Sequence, residues 1–144
     1  MNLIERLVVD ANPLLSAIIG GNASKIFILT KEIQFFTTEF TLKEVERYIP
    51  KFSDKWKISE DKLYLALITL PVVAYGEDLY RNEIKKAKEL IEKRDPDDFH
   101  LLALALRLNC PIWTNDQDFK EIDVEVFTTY DLLKILNINS RRGS

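Results

Sequence analysis

The sequence predicts a three-layer α/β/α domain built on a central parallel sheet of about five strands. Short β-branched or aromatic runs recur along the chain, and each is followed by a segment with helical apolar spacing. Strands separated one by one by helices pair in parallel through right-handed crossovers. Apolar residues make up 47% of the 144, enough to bury a core of one domain's size.

The first strand is "RLVVD" (6–10), and "NPLLSAIIG" then reads as a helix with Asn12 as N-cap, Pro13 at its first position and Gly20-Gly21 ending it. A further helix is expected around 23–31 and a second strand at "QFFTT" (34–38). In "EFTLKEVERYI", Leu42, Val45 and Ile49 share a helix face that Pro50 ends or kinks. Ser59 caps a helix over 59–70 with Leu63, Leu67 and Leu70 as its stripe, and Pro71 stops it before the third strand, "VVAY" (72–75). A half-exposed helix over 77–94 uses Leu79, Ile84, Ala87, Leu90 and Ile91. A more apolar one follows over 95–109, then strands in "PIWT" and "VEVFT" and a last helix in "TYDLLKIL". Residues 1–138 are expected to form the single domain. The polar "SRRGS" end differs from what precedes it, so 139–144 are set apart as a tail, part of it a candidate vector remnant.

Twenty basic against twenty-three acidic residues leave a net charge of −3, which gives no global attraction to nucleic acid. A single Cys110 excludes an internal disulfide, and one Cys with one His excludes a zinc site of the usual kind. No apolar run reaches the roughly 18 residues of a membrane span, and no export signal is recognisable, so a cytoplasmic protein is expected.

Ligands of open parallel sheets bind beyond the carboxyl ends of the strands. Four acids fall there: Asp10 ends the first strand, Glu44 lies in the helix after the second, Asp98 opens the apolar helix, and Asp116 follows the fourth strand, with Asp118 two residues on. Each has an ordinary alternative. With Asp95 as N-cap and Pro96 next, Asp98 is a third-position acid favoured by the macrodipole. Thr41-x-x-Glu44 is a capping box if the helix starts at Thr41, but Glu44 lies past the cap if it starts near Thr38. Asp116 could cap the turn that follows, and Asp10 could bond the turn at Asn12.

Together these readings weaken, because Ser, Thr or Asn caps as well as an acid does without setting like charges side by side. Two carboxylates about 4 Å apart repel by roughly 4 kcal/mol at an effective dielectric near 20. A divalent cation would neutralise the set, and an all-oxygen site without His or Cys points to Mg²⁺ or Mn²⁺ and to metal-assisted phosphoryl chemistry.

The pieces "LVVDANPLLSAI", "EFTLKEVERY" and "DPDDFHLLALALRLNCPIWTNDQDF" resemble, in order and over most of 7–136, the acidic motifs of PIN domain ribonucleases, among them VapC-type toxins of toxin–antitoxin pairs. The last piece is the most specific, with Asp98 eighteen residues before Asp116 and a Thr-Asn-Asp-x-Asp-Phe turn after a strand. The resemblance implies a metal-binding acidic pocket that hydrolyses single-stranded or structured RNA. Its catalytic acids fall on Asp10, Glu44, Asp98 and Asp116, its metal ligands on Asp10, Asp98, Asp116 and Asp118, and its supporting polar residues on Asn12, Thr114 and Asn115. Asp97 is the register alternative to Asp98. The implied partners are an RNA substrate, an antitoxin protein and a second copy of the chain, with Tyr64, Leu65, Val73 and Tyr75 as candidate contact surface.

Lys43, Arg47, Lys51 and Lys55 recur every four residues beside Glu44 and form a candidate basic rim for RNA, Lys43 and Arg47 above all. Pro50 interrupts their register and leaves a solvated face as the alternative. Lys85, Lys86, Lys88 and Lys93 interleave with Glu83, Glu89 and Glu92 as surface pairs. His100 is expected to be a helix-surface or partly buried residue rather than a catalyst, and Trp56 and Trp113 to be core. Two rivals remain. A receiver-type phosphoacceptor wants an acid pair by the first strand, which is absent, whereas a non-catalytic PIN-like module that binds RNA or protein would not need the complete acid set.

Overall fold

A computed structural model describes residues 4–91, 98–116, 119 and 124–138. Its sheet contains β1 (Arg6–Val9), β2 (Gln34–Thr38), β3 (Val72–Tyr75), β4 (Ile112–Trp113) and β5 (Val126–Phe127). All pairings are parallel and the order is β3-β2-β1-β4-β5, so the winding direction reverses between β1 and β4. Asp95, Pro96, Asp97, Asp118 and the 139–144 tail lie outside the described residues.

Side chains alternate across the sheet, and the two faces carry separate cores. Leu7, Val9, Phe35 and Trp113 face α1 (Ala11–Ile18), α2 (Asn22–Leu29), α3 (Glu39–Trp56), α4 (Glu60–Thr69) and α8 (Thr129–Ile135). Val8 and Ile112 face the other way, with α5 (Glu77–Tyr80), α6 (Ile84–Leu90) and α7 (Phe99–Leu108). These are the three layers read from the sequence. The first core centres on fully buried Trp113, whose ring lies 5.0 Å from Phe27 and 5.9 Å from Phe35. Its indole N–H donates to Thr129 Oγ1 at 3.0 Å, so the one polar atom of this side chain is satisfied.

Four expectations need correction. Asp10, not Asn12, caps α1: its carboxylate accepts from the Ala11 amide, which leaves Asn12 exposed and Pro13 in the third helical position. Proline is tolerated there because the first amides of a helix have no intrahelical acceptor. The expected helix over 77–94 is broken. The backbone leaves helical values at Tyr80 (φ −111°, ψ 14°), a 3₁₀ turn covers Arg81–Glu83, and Tyr80 turns inward to hydrogen-bond His100. Tyr75 is half-buried because it stacks on Phe36, whereas Tyr64, Leu65 and Val73 are exposed as expected.

The fourth correction bears on function. α3 does not stop at Pro50 but runs through it to Trp56 and ends at Lys57, in the left-handed region with φ 56°. Its start is fixed by Thr38, whose buried hydroxyl accepts from the Thr41 amide at 2.8 Å. The buried stripe Thr41, Val45 and Ile49 holds the helix against the sheet, and Pro50 is exposed, so its ring faces solvent rather than the core. Trp56 is therefore carried beyond the packed region and stands 46% exposed, with the Lys55 ammonium 5.4 Å from its ring centre.

Interior proline removes a helical hydrogen bond and crowds the preceding turn, at about 3 kcal/mol, part of which its stiffening of the unfolded chain offsets. Pro50→Ala should therefore raise stability by about 1–2 kcal/mol in denaturant unfolding. A loss of stability would show that the helix needs the proline.

Candidate functional site

The carboxyl ends of β1 and β4 meet where the winding reverses, the usual position for a ligand crevice in an open parallel sheet. Val9 pairs with Trp113, so Asp10 and Thr114 leave the sheet side by side. The Asp10 amide donates to the Trp113 carbonyl at 2.9 Å, and the Thr114 amide to Phe127 at 3.0 Å. Thr114, fully buried, donates its hydroxyl proton to Asp10 Oδ2 at 2.6 Å, and its oxygen accepts from the Asp116 amide at 3.0 Å. Both functions of this hydroxyl are used. Asn115 links the next layer: its Nδ2 donates to Asn12 Oδ1 at 2.8 Å, and its Oδ1 accepts from the Thr129 amide at 2.9 Å, tying the turn to α1 and to α8.

Above these bonds lies a pocket of about 420 Å³ lined by Asp10, Glu44, Asp98 and Asp116, with Asn12 and Asn115 at its rim. Four carboxylates from four separate segments thus face one space. Capping does not explain them all. Glu44 is the sixth residue of α3, past the cap that Thr38 forms, so the Thr41 alternative falls away. Asp98 precedes Phe99 with helical backbone angles (φ −67°, ψ −15°), and its side chain makes no capping hydrogen bond. Asp10 is both a cap and a wall of the pocket.

Asp10 keeps part of its surface open to the pocket, but most of its surroundings are protein. That burial raises its carboxyl above the ordinary value, and the Asp116 charge adds to the rise, while the Thr114 hydroxyl and the Ala11 amide pull the other way. Negative charge here is therefore costly, and a cation would relieve it.

The donor set consists of carboxylate, amide and hydroxyl oxygens, which suits a hard divalent ion. Among the described residues, no three acidic, His or Cys side chains draw together tightly enough to cage an ion unaided. Mg²⁺ does not need such a cage, because it keeps several waters and is usually held by one or two carboxylates together with substrate phosphate. The open pocket fits that mode of binding.

Lys43 and Arg47 do not line the pocket; both are exposed on α3. Sequence reasoning missed Tyr48 and Phe52, which do line it, one and two turns beyond Glu44. The four-residue spacing from Glu44 was the available signal, within the expected helix for Tyr48 and across Pro50 for Phe52. Of the two positions expected for His100, helix surface or partly buried, the structure shows the second: it is half-buried, stacked between Phe40 at 4.2 Å and Phe99 at 4.1 Å, with Nδ1 2.8 Å from the Tyr80 hydroxyl.

No curated protein shows significant sequence similarity to the chain. Several solved structures share its fold. A Pyrobaculum aerophilum protein, PAE2754, superposes with a TM-score of 0.66 at 15% identity, over 93% of this chain and 96% of that one. A toxin–antitoxin complex from Klebsiella pneumoniae gives 0.62 at 22% identity, over 87% and 98%. VapBC2 from Rickettsia felis, bound to a DNA fragment from its promoter, gives 0.63 at 18% identity, over 85% and 98%. At these identities the likeness speaks for the fold. Membership is carried by the PIN domain sequence model, which matches residues 8–137. With that match running from within β1 through the other four strands, all four pocket acids and α8, the chain belongs to the PIN domain family.

Proposed function

We propose that this chain is a Mg²⁺- or Mn²⁺-dependent ribonuclease that hydrolyses RNA phosphodiester bonds. The reading is carried by one observation, the four carboxylates from separate segments that face a single pocket at the switch point of the sheet. Family membership supports nuclease chemistry in general.

Asp10, Asp98 and Asp116 are the proposed metal ligands. Asp118, outside the described residues, completes the set read from the sequence, and Glu44 is the fourth catalytic acid. A bound ion would supply Lewis-acid stabilisation of the phosphate and a water of lowered pKa. The chain's own residues do the positioning. Thr114 fixes the Asp10 carboxylate through one oxygen and leaves lone pairs for a ligand, and the Asn12–Asn115 bond holds the turn that bears Asp116.

A toxin role, with an antitoxin as partner, is the finer form of this reading. It is supported by fold neighbours that include toxin–antitoxin complexes. An antitoxin tail would enter the pocket most simply by placing a basic side chain where the cation would sit. Among the described residues no helix is long and apolar enough to cross a membrane, and a cytoplasmic site of action belongs to the same proposal. We also infer a homodimer through the exposed face of Tyr64, Leu65, Ile68 and Val73. Light scattering at micromolar concentration should give twice the chain mass, and a monomer there overturns this inference.

Asp98→Asn and Asp116→Asn separate capping from metal binding, because Asn caps as well as Asp but lacks the charge. Both variants should fold and should melt in chelator at or above the parent's temperature. They should also lose most of the stabilisation that Mn²⁺ gives the parent and cut RNA at least about tenfold more slowly, a loss of about 1.4 kcal/mol. Parent-like cleavage by both, or parental cleavage that survives exhaustive chelation, overturns the assignment. Thr114→Val keeps the shape but strips Asp10 of its buried donor and the Asp116 amide of its acceptor. It should lose about 1.5–3 kcal/mol in denaturant unfolding and weaken Mn²⁺ binding in calorimetry. Parent-like Mn²⁺ affinity would deny Thr114 its positioning role.

A further inference from the structure

The continuation of α3 through Pro50 sets two rows of side chains next to each other, each repeating every four residues along the helix. One row starts at Glu44 in the pocket and continues through Tyr48, Phe52 and Trp56. Tyr48 and Phe52 line the pocket, meeting at 6.5 Å in an edge-on arrangement that does not use up both ring faces. Tyr48 is 44% exposed and Trp56 46%, unusual for large rings with a core within reach. The other row, one residue earlier at each turn, is Lys43, Arg47, Lys51 and Lys55, all exposed. Among the described residues no ion pair engages Lys43, Arg47, Lys51 or Lys55; Asp54 pairs instead with Lys57, outside both rows. Lys43, Arg47 and Lys51 therefore stand ready for an external anion, and Lys55, whose ammonium lies 5.4 Å from the Trp56 ring centre, would turn from that ring to a phosphate as a base stacks there.

We propose that α3 is a track for single-stranded nucleic acid leading into the pocket, with unpaired bases stacking on Tyr48 and Trp56 and backbone phosphates running along the Lys43–Lys55 row. This rests on the ribonuclease reading and adds the side chains of this chain that would receive the strand. The charge balance motivates it. A polyanion approaching four carboxylates is repelled, and cations beside the pocket with uncharged stacking surface on the same helix offset that repulsion. Any base offers a π-face, so the device tolerates sequence, whereas a duplex keeps its bases stacked on each other and out of reach. From Glu44 to Trp56 the helix rises about 18 Å, room for a few extended nucleotides.

Binding can be read without hydrolysis by using Ca²⁺ in place of Mn²⁺ and a single-stranded oligoribonucleotide of about eight residues, a length within the usual site sizes. Because Trp113 is fully buried, quenching of the exposed Trp56 should report contact directly. We expect quenching on binding, and about tenfold weaker binding for Tyr48→Ala and Trp56→Ala, with Tyr48→Phe and Trp56→Tyr close to the parent. An oligomer with abasic sites should bind the parent and both alanine variants alike, since it has nothing to stack. Arg47→Gln should lower the salt dependence of binding for both oligomers. Unchanged affinity in both alanine variants overturns the track and leaves the aromatic row to a protein partner, and equal losses with intact and abasic oligomers overturn stacking. Either result alongside Mn²⁺-dependent cleavage by the parent leaves the nuclease reading standing. Specific stacking without any cleavage would instead preserve the track and remove the nuclease.

Discussion

Val9 pairs with Trp113, and strand pleating then decides what the next residues can do. Asp10 and Thr114 emerge side by side at the edge where the winding reverses, close enough for a 2.6 Å hydrogen bond. A slip of one residue would turn every side chain of β4 to the opposite face, expelling Trp113 from the core and Thr114 from its partner. The three-ring contact of Phe27, Phe35 and Trp113 opposes that slip with much of one face of the sheet. Apolar packing below the edge thus fixes the polar geometry above it.

That geometry gathers negative charges from four segments around one space. Among the described residues, α3's cations lie beside the pocket rather than in it. Burial raises the Asp10 carboxyl above its ordinary value, and the neighbouring Asp116 charge adds to the rise. The Thr114 hydroxyl and Ala11 amide offset only part of it. Any ligand that bound the folded pocket and not the unfolded chain would stabilise the fold by mass action.

Much of this was legible in the sequence, where signals were local. Strand runs at 34–38 and 72–75 stand where their residue types put them, and all four acids face one pocket, as a parallel sheet requires of residues that follow its strands. What was not legible depended on competition between local signals and tertiary packing. Asn12 and Asp10 are both good caps, and the register of β1 against β4 selects Asp10. Pro50 is a strong helix breaker, but a buried stripe before it and an outward-facing ring carry the helix through. Trp56, expected in the core, is carried past the packed region by that continuation, and Phe52 joins Tyr48 beside Glu44 for the same reason. Tyr80 breaks its helix to reach His100, a contact twenty residues away that no local pattern announces.

The position of His100 has a spectroscopic consequence. It is the chain's one histidine, and its ring lies between Phe40 of α3 and Phe99 of α7, the two helices associated with Glu44 and Asp98. Its ring protons therefore sit in the shielding cones of two aromatic faces and, unlike those of any other residue, need no assignment by comparison with a second imidazole. A single pair of displaced resonances becomes a gauge of the spacing between the helices that flank the pocket, readable in the intact protein without a label.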